Sequence, residues 1–155
     1  MDTGKNMKTS DKGIKFIINE EGGIRLKAYR CQAGVWTIGV GHTGKDVKEG
    51  MEITEEKAIE LLKLDLRRFE DTVNKNIRVT LEQYEFDALT SLAFNIGTNA
   101  FENSTVVKRI NAGAETKEIE EAWKMWRKGG GKVLPILVRR REREIKMYNS
   151  EDSII

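Results

Sequence analysis

The chain has 155 residues, 39% hydrophobic and 34% charged, with a net charge of +2. These values exclude a disordered chain, a domain too small to bury a core without staples, and a polycation that binds nucleic acid along its whole length. Cys31 is the one cysteine, so no intramolecular disulfide can form, and the polar opening stretch holds no apolar run of signal-peptide or membrane-spanning length.

Residues 1–9 read as a flexible tail. Ser10 or Asp11 caps a first helix running to about Glu21, with Ile14, Ile17, Ile18 and Glu21 on one stripe. That register puts Glu21 on the buried face and turns Glu20 about 100° away, towards solvent. Gly22 and Gly23 then end the helix. Residues 26–31 and 35–40 read as the strands of a hairpin joined by Gln32, Ala33 and Gly34. Gly39 and Gly41 alternate with Ile38, Val40 and His42, the pattern of a strand lying close against another backbone. Residues 43–53 read as loop, with a short third strand at 51–53.

Thr54 caps a long helix over 54–75, with Glu55 and Glu56 in its first turn and Ile59, Leu62, Leu66, Phe69 and Val73 on its apolar face. Thr80 with Gln83 forms a capping box for a helix that carries Tyr84, Ala88, Leu92 and Asn95 on one face and stops at Gly97. A short helix covers 104–111. Thr116 opens another, with Ile119, Ala122, Trp123 and Trp126 on its stripe, ended by the glycines at 129–131. Pro135 sits in the first turn of a last helix to about Tyr148, and 149–155 form a frayed tail. The layout is α+β with segregated parts: one domain with lobes at about 12–53 and 76–148, joined by the long helix. Over 121–146, nine basic residues face three acidic ones and leave +6, which draws that end to anionic surfaces. The run Arg139, Arg140, Arg141, Arg143 reads as a solvated helix face, or as a contact for an acidic polymer.

Three side chains near the hairpin can carry chemistry. A buried Glu21 would lose hydration and stay protonated near neutral pH, as glycoside hydrolysis requires of a general acid. It can equally be a helix-terminal glutamate paired with an arginine. Cys31 has no cationic neighbour in sequence that would lower its pKa, and Thr37 is a strand residue of good β-propensity. His42, the one histidine, is either a general base or a structural group hydrogen-bonded behind the site. No His, Cys and Asp cluster has metal-ligand spacing, Gly39-Val40-Gly41 lacks the context of a dinucleotide loop, and no cofactor is expected.

Several motifs in order carry a resemblance. They are Glu21-Gly22 followed by Arg25-Leu26-Lys27-Ala28-Tyr29, the run from Ala33 through Trp36 and Thr37 to His42 and Lys45, and Ala93-Phe94-Asn95-Ile96-Gly97. After these come Asn103-Ser104-Thr105, the pair Trp123 and Trp126 before the glycines, and the arginine-rich last helix. Over about residues 12–148 the chain resembles the lysozymes (endolysins) of tailed bacteriophages, the muramidases of glycoside hydrolase family 24. The resemblance implies a lysozyme-like fold with a small N-terminal lobe, a β-hairpin sheet, a long connecting helix and a helical C-terminal lobe.

It also implies roles: Glu21 as general acid, Cys31 and Thr37 as the second and third catalytic positions, and Asn95 as a polar cleft residue. His42 is the histidine behind the sheet, with Asp65 as its partner. Peptidoglycan glycan strands are the implied partner, with no nucleic acid, no membrane insertion and a monomeric chain. The protein would stay in the host cytoplasm until a holin-type pore releases it to the periplasm and wall. The family spacing is Glu, eight residues, Asp or Cys, five residues, Thr. Here nine residues separate Glu21 from Cys31. If Gly22 and Gly23 absorb the extra residue, Glu21 keeps its place. If not, the chain is a catalytically impaired peptidoglycan-binding module.

Overall fold

The computed structural model describes residues 6–150. The expected tails at 1–5 and 151–155 lie outside the described residues. The chain forms two compact units: one is Ile14–Arg67, and the other holds the described residues before and after it. The boundary falls within both the first and the second helix.

Helix α1 spans Asp11–Glu20. The Ser10 hydroxyl caps it by accepting from the Gly13 amide at 3.1 Å. The expected tail is anchored as far back as Met7. The Met7 amide donates to the Asn74 side chain at 3.2 Å, which donates back to the Met7 carbonyl at 3.0 Å. Both the amide and the hydroxyl of Thr9 reach Glu70 Oε2, at 2.8 and 2.6 Å. Polar side chains of the helices that follow bind this segment's backbone, a long-range pairing that sequence composition does not reveal.

In the first unit, β1 (Arg25–Arg30), β2 (Trp36–Gly39) and β3 (His42–Thr43) form an antiparallel sheet in that order. The second strand stops at Gly39, short of the expected Val40. Gly39 and Gly41 have φ of 68° and 71°, so the chain reverses there into β3. Gly39 does lie against another backbone: a Cβ built on it would stand 3.6 Å from Ala58 Cα. Between Arg25 and Tyr29 the pairing of β1 with β2 is bulged. There β1 instead bonds the expected third strand at 51–53, through Ala28 N–H to Met51 O and Ile53 N–H to Leu26 O, both at 2.9 Å. Ile38, Val47 and Leu61 form the core here, with Ala28, Trp36, Met51 and Ile53 packed on it.

Helix α2 spans Glu55–Asn76, with Thr54 accepting from the Lys57 amide at 3.1 Å. Leu62, Leu66, Phe69 and Val73 are buried as its pattern requires.

The second unit is mostly helical: α3 (Gln83–Ile96), α4 (Thr98–Glu102), α5 (Thr105–Asn111), α6 (Thr116–Lys124) and α7 (Pro135–Asn149). The capping pair of α3 is Glu82 and Glu85 rather than Thr80 and Gln83, with the Glu82 amide 2.7 Å from Glu85 Oε1. The helix after Thr116 ends at Lys124. The glycines beyond it shape a hairpin of β4 (Lys128–Gly129) and β5 (Lys132–Val133), turned by Gly130 and Gly131 at φ 60° and 81°.

The arginine run is not a solvated face. Arg140 and Arg141 are 5% and 1% exposed around a fully buried Glu144, while Arg139 and Arg143 are exposed. They lie on the buried stripe of α7, with Ile145 and Tyr148.

Candidate active site

Glu21 follows the last residue of α1. Its amide still bonds the Ile17 carbonyl at 2.9 Å, and the Gly23 amide reaches back to Ile18 O at 2.9 Å. Gly22 and Gly23, at φ 90° and 99°, then turn the chain into β1. Glu21 is exposed and Glu20 half-buried, the reverse of the expected burial. The helical period stops setting direction once the helix has ended, so the buried stripe does not extend to position 21. The burial expected of Glu21 is therefore not supplied by the stripe.

Cys31 and Thr37 are brought together. Cys31 closes β1 and opens the turn. Its amide bonds Val35 O at 3.0 Å and its carbonyl accepts from Gly34 N–H at 2.8 Å. The Cys31 pKa is lowered from its usual value. The backbone N–H groups of Val35 and Ala33 lower it most, slight dehydration opposes them, and the nearby Thr37 hydroxyl adds to the lowering. No cationic neighbour is involved: the favourable groups are turn amides, which leave no trace in side-chain composition. Thr37 is 3% exposed, and its hydroxyl donates to Val35 O at 2.9 Å.

Sequence reasoning missed the flank of this pair. Tyr29 lies directly across from Thr37 in the strand register, and the Arg25 guanidinium stands 4.1 Å from the Tyr29 ring centre. The signal was available in the alternation of Arg25, Lys27 and Tyr29 on one face of a strand.

His42 lies between two carboxylates: Nδ1 is 2.8 Å from Asp65 Oδ2 and Nε2 is 3.0 Å from Asp46 Oδ2. The first is the expected pair; the second was missed. Both ring nitrogens face acceptors, an arrangement only the imidazolium satisfies fully. Partial burial pulls the His42 pKa down, but the bonds to Asp65 and Asp46 and their charges outweigh it, and the pKa is raised. Asp46 is lowered in turn, first by its bond from His42. His42 ties β3 to α2 and has no nitrogen spare for use as a base.

Asn95 belongs to the second unit. It is exposed at the end of α3, and its Oδ1 accepts from Arg141 Nη2 at 2.8 Å. It lines a pocket of about 280 Å³ with Trp126, Lys128 and Leu137. Behind that pocket, Glu144 accepts from Ser91 Oγ at 2.6 Å and Trp123 Nε1 at 3.1 Å, and its Oε1 lies 2.8 Å from Arg141 Nε. Arg141 Nη1 donates to the Trp126 carbonyl at 3.1 Å.

Comparisons with known proteins agree on one family. The family profile described as phage lysozyme matches residues 19–144. The endolysin of Salmonella phage P22 is 46% identical over 148 residues, covering 93% of this chain and 99% of its own. A crystal structure of a P22 lysozyme mutant superposes with a TM-score of 0.85 over 93% of this chain and 99% of that one, at 46% identity. The muramidase domain of SpmX from Asticaccaulis excentricus gives 0.84 at 37% identity, over 94% of this chain and 99% of that one.

Proposed function

This chain belongs to the phage lysozyme family, and from that membership we infer that it is an endolysin, a muramidase that hydrolyses bacterial peptidoglycan and lyses the cell. The observation that carries this is near-full-length coverage in both directions against the P22 endolysin, with the lysozyme-like fold reproduced. The bond cut is the β-1,4 link from N-acetylmuramic acid to N-acetylglucosamine.

Glu21 is the general acid, protonating the glycosidic oxygen as the bond breaks. Thr37 and Cys31 hold the water that attacks the sugar carbon from the opposite face, giving a single displacement with inversion. Thr37 is among the groups that lower the Cys31 thiol, which supports the two acting together. With its proton on Val35 O, the Thr37 oxygen offers lone pairs to a water. The turn amides that lower the Cys31 thiol favour its charged form, the direction in which a carboxylate would act at this position. Two left-handed glycines in succession support the Gly pair as the place that takes up the additional residue, since one suffices to end a helix. No observation favours the impaired binding module. Asn95 is a glycan-binding residue of the second unit, at the mouth of its own pocket.

The protein works as a monomer and reaches the wall through a holin-type pore. Among the described residues, no helix is long and apolar enough to cross a membrane. The test is loss of turbidity of permeabilised Gram-negative cells. Clearing by the native protein that Glu21→Gln abolishes supports the assignment; binding to sacculi without clearing overturns it.

A further inference from the structure

We propose that Asp87, on α3, is a positioning residue for the reaction: through Ser10 it fixes the start of α1, and with it the direction in which the far end of that helix presents Glu21. This rests on the reading of Glu21 as the general acid and adds the group that aims it.

Asp87 is 1% exposed, and among the described residues no basic side chain pairs with it. A carboxylate so placed has to be met by hydrogen-bond donors. The Ser10 amide donates to Oδ1 at 3.1 Å, the Ser10 hydroxyl donates to Oδ2, and Gln83 Nε2 donates to Oδ1 at 2.9 Å. Burial pushes the Asp87 pKa up and the charge of Glu70 adds to the rise, while the bonds from Ser10 and Gln83 pull it back.

Two of these three donors belong to the residue that caps α1. The Ser10 hydroxyl donates to Asp87 while it accepts from the Gly13 amide at 3.1 Å, so one hydroxyl is held from both sides. A helix cap is ordinarily complete within a few residues. Here it is completed by a carboxylate 77 residues away. The start of a helix carries partial positive charge, so the first turn of α1 supplies the counter-charge that Asp87 lacks. The fit leaves no slack. A Cβ built on Gly13 would stand 2.6 Å from Asp87 Cγ and 2.8 Å from Oδ2. The segment before the cap is tied to the same helices: Thr9 to Glu70, Met7 to Asn74, and the Lys8 carbonyl to Gln83 Nε2 at 2.8 Å. Helix α1 therefore cannot turn or slide at its start without giving up bonds to α2 and α3.

The other end of this ten-residue helix leads straight into Glu21, whose amide still bonds Ile17 O at 2.9 Å. A rotation of about 10° about the axis moves a carboxyl lying about 6 Å from it by about 1 Å. A misplacement of about 1 Å can cost about a hundredfold in rate. A small loss of register at Ser10 is thus enough to misdirect the acid.

The test measures kcat and KM on glycan strands of purified peptidoglycan, well below the lowest Tm of the set. Asp87→Asn and Ser10→Ala each lower kcat by about ten- to a hundredfold and leave KM within about twofold, since binding survives and alignment does not. Ser10→Thr, which keeps the capping hydroxyl, restores most of the rate. Asn111→Ala is the stability control. It removes side-chain bonds to the Arg78 amide and the Asn76 carbonyl, both 2.7 Å, and lowers Tm with kcat unchanged. In a Glu21→Gln background, Asp87→Asn adds no further loss, because both changes act through one group. Native kcat in Asp87→Asn and Ser10→Ala, losses that add in full to that of Glu21→Gln, or an equal fall in Asn111→Ala each overturn the proposal while leaving the acid assignment intact. A Glu21→Gln protein that cuts at the native rate overturns both.

Discussion

Replacing Asp65 by Asn tests the ion pair that ties β3 to α2 in the first unit. The Asp65 carboxylate is 2.8 Å from His42 Nδ1, with side chains 29% and 13% exposed. A hydrogen bond between charged groups contributes about 1.5–3 kcal/mol and a neutral one about 0.5–1.5, so Asn, which still accepts from the ring, costs about 1–2 kcal/mol. For a chain of this size that is a fall in Tm of about 2–8 °C. The pH dependence carries the sign. The folded pKa of His42 is raised, so the stabilisation is fully present below the unfolded value of about 6.5 and is lost as pH rises through the folded value. The gap in Tm between native protein and Asp65→Asn, followed by circular dichroism from about pH 6 to about pH 10, should narrow as pH rises. A gap that stays constant or widens would refute the charged pair. Asp46→Asn should cost less, because the Asp46 side chain is 56% exposed.

Glu21→Gln should cut clearing by at least about 10²-fold, as loss of a general acid does, while Glu20→Gln keeps most of it; initial rates of turbidity loss decide, and the reverse outcome would move the acid to Glu20. Cys31→Asp should retain activity and Cys31→Ser should lose more of it. Because the thiol pKa is lowered, the native rate should also rise with pH through that titration, a limb that Cys31→Asp displaces to acid pH; a pH–rate profile shows whether it moves. Glu144→Gln leaves two buried guanidiniums without their carboxylate and should destabilise by about 3–5 kcal/mol, read as a lower urea midpoint; a shift under 1 kcal/mol, about the worth of an exposed pair, would mean that the cluster contributes little.

Much of the fold was legible because local chemistry and tertiary demand agree. The Thr54 cap, the Leu62 to Val73 stripe, the Gly97 stop and Pro135 at a first turn each state a local preference that the fold keeps. The misreadings come from signals with two meanings. Gly129, Gly130 and Gly131 read as a helix stop, yet two of them turn a hairpin. Val40 carries strand propensity, but Gly39 and Gly41 reverse the chain around it. The helical period ends with α1 at Glu20 and so misplaces Glu21. At the candidate site, Cys31, Thr37 and the His42–Asp65 pair were legible as residue types at a family spacing. The turn amides that act on Cys31 were not, because backbone N–H groups have no letter in a sequence.

The arginine run carries a positional signal that residue type alone hides. Stepping back by four from Tyr148 and Ile145 along α7 lands on Glu144 and Arg141, and a further four from Glu144 lands on Arg140. The apolar stripe thus continues through charged positions, and a charge on a buried stripe must find partners or be excluded. Here the partners extend outwards. Glu144 holds Arg141, and Arg141 bonds the Asn95 side chain and the Trp126 carbonyl. Asn95 and Trp126, which line one pocket of the second unit, are therefore both held by a guanidinium whose carboxylate partner no solvent reaches. An apolar residue at 144 could fill the same volume, but it could not aim the guanidinium that aims them. Arg140 and Arg141 thus serve as an internal brace of the second unit rather than as a solvated face open to an acidic polymer.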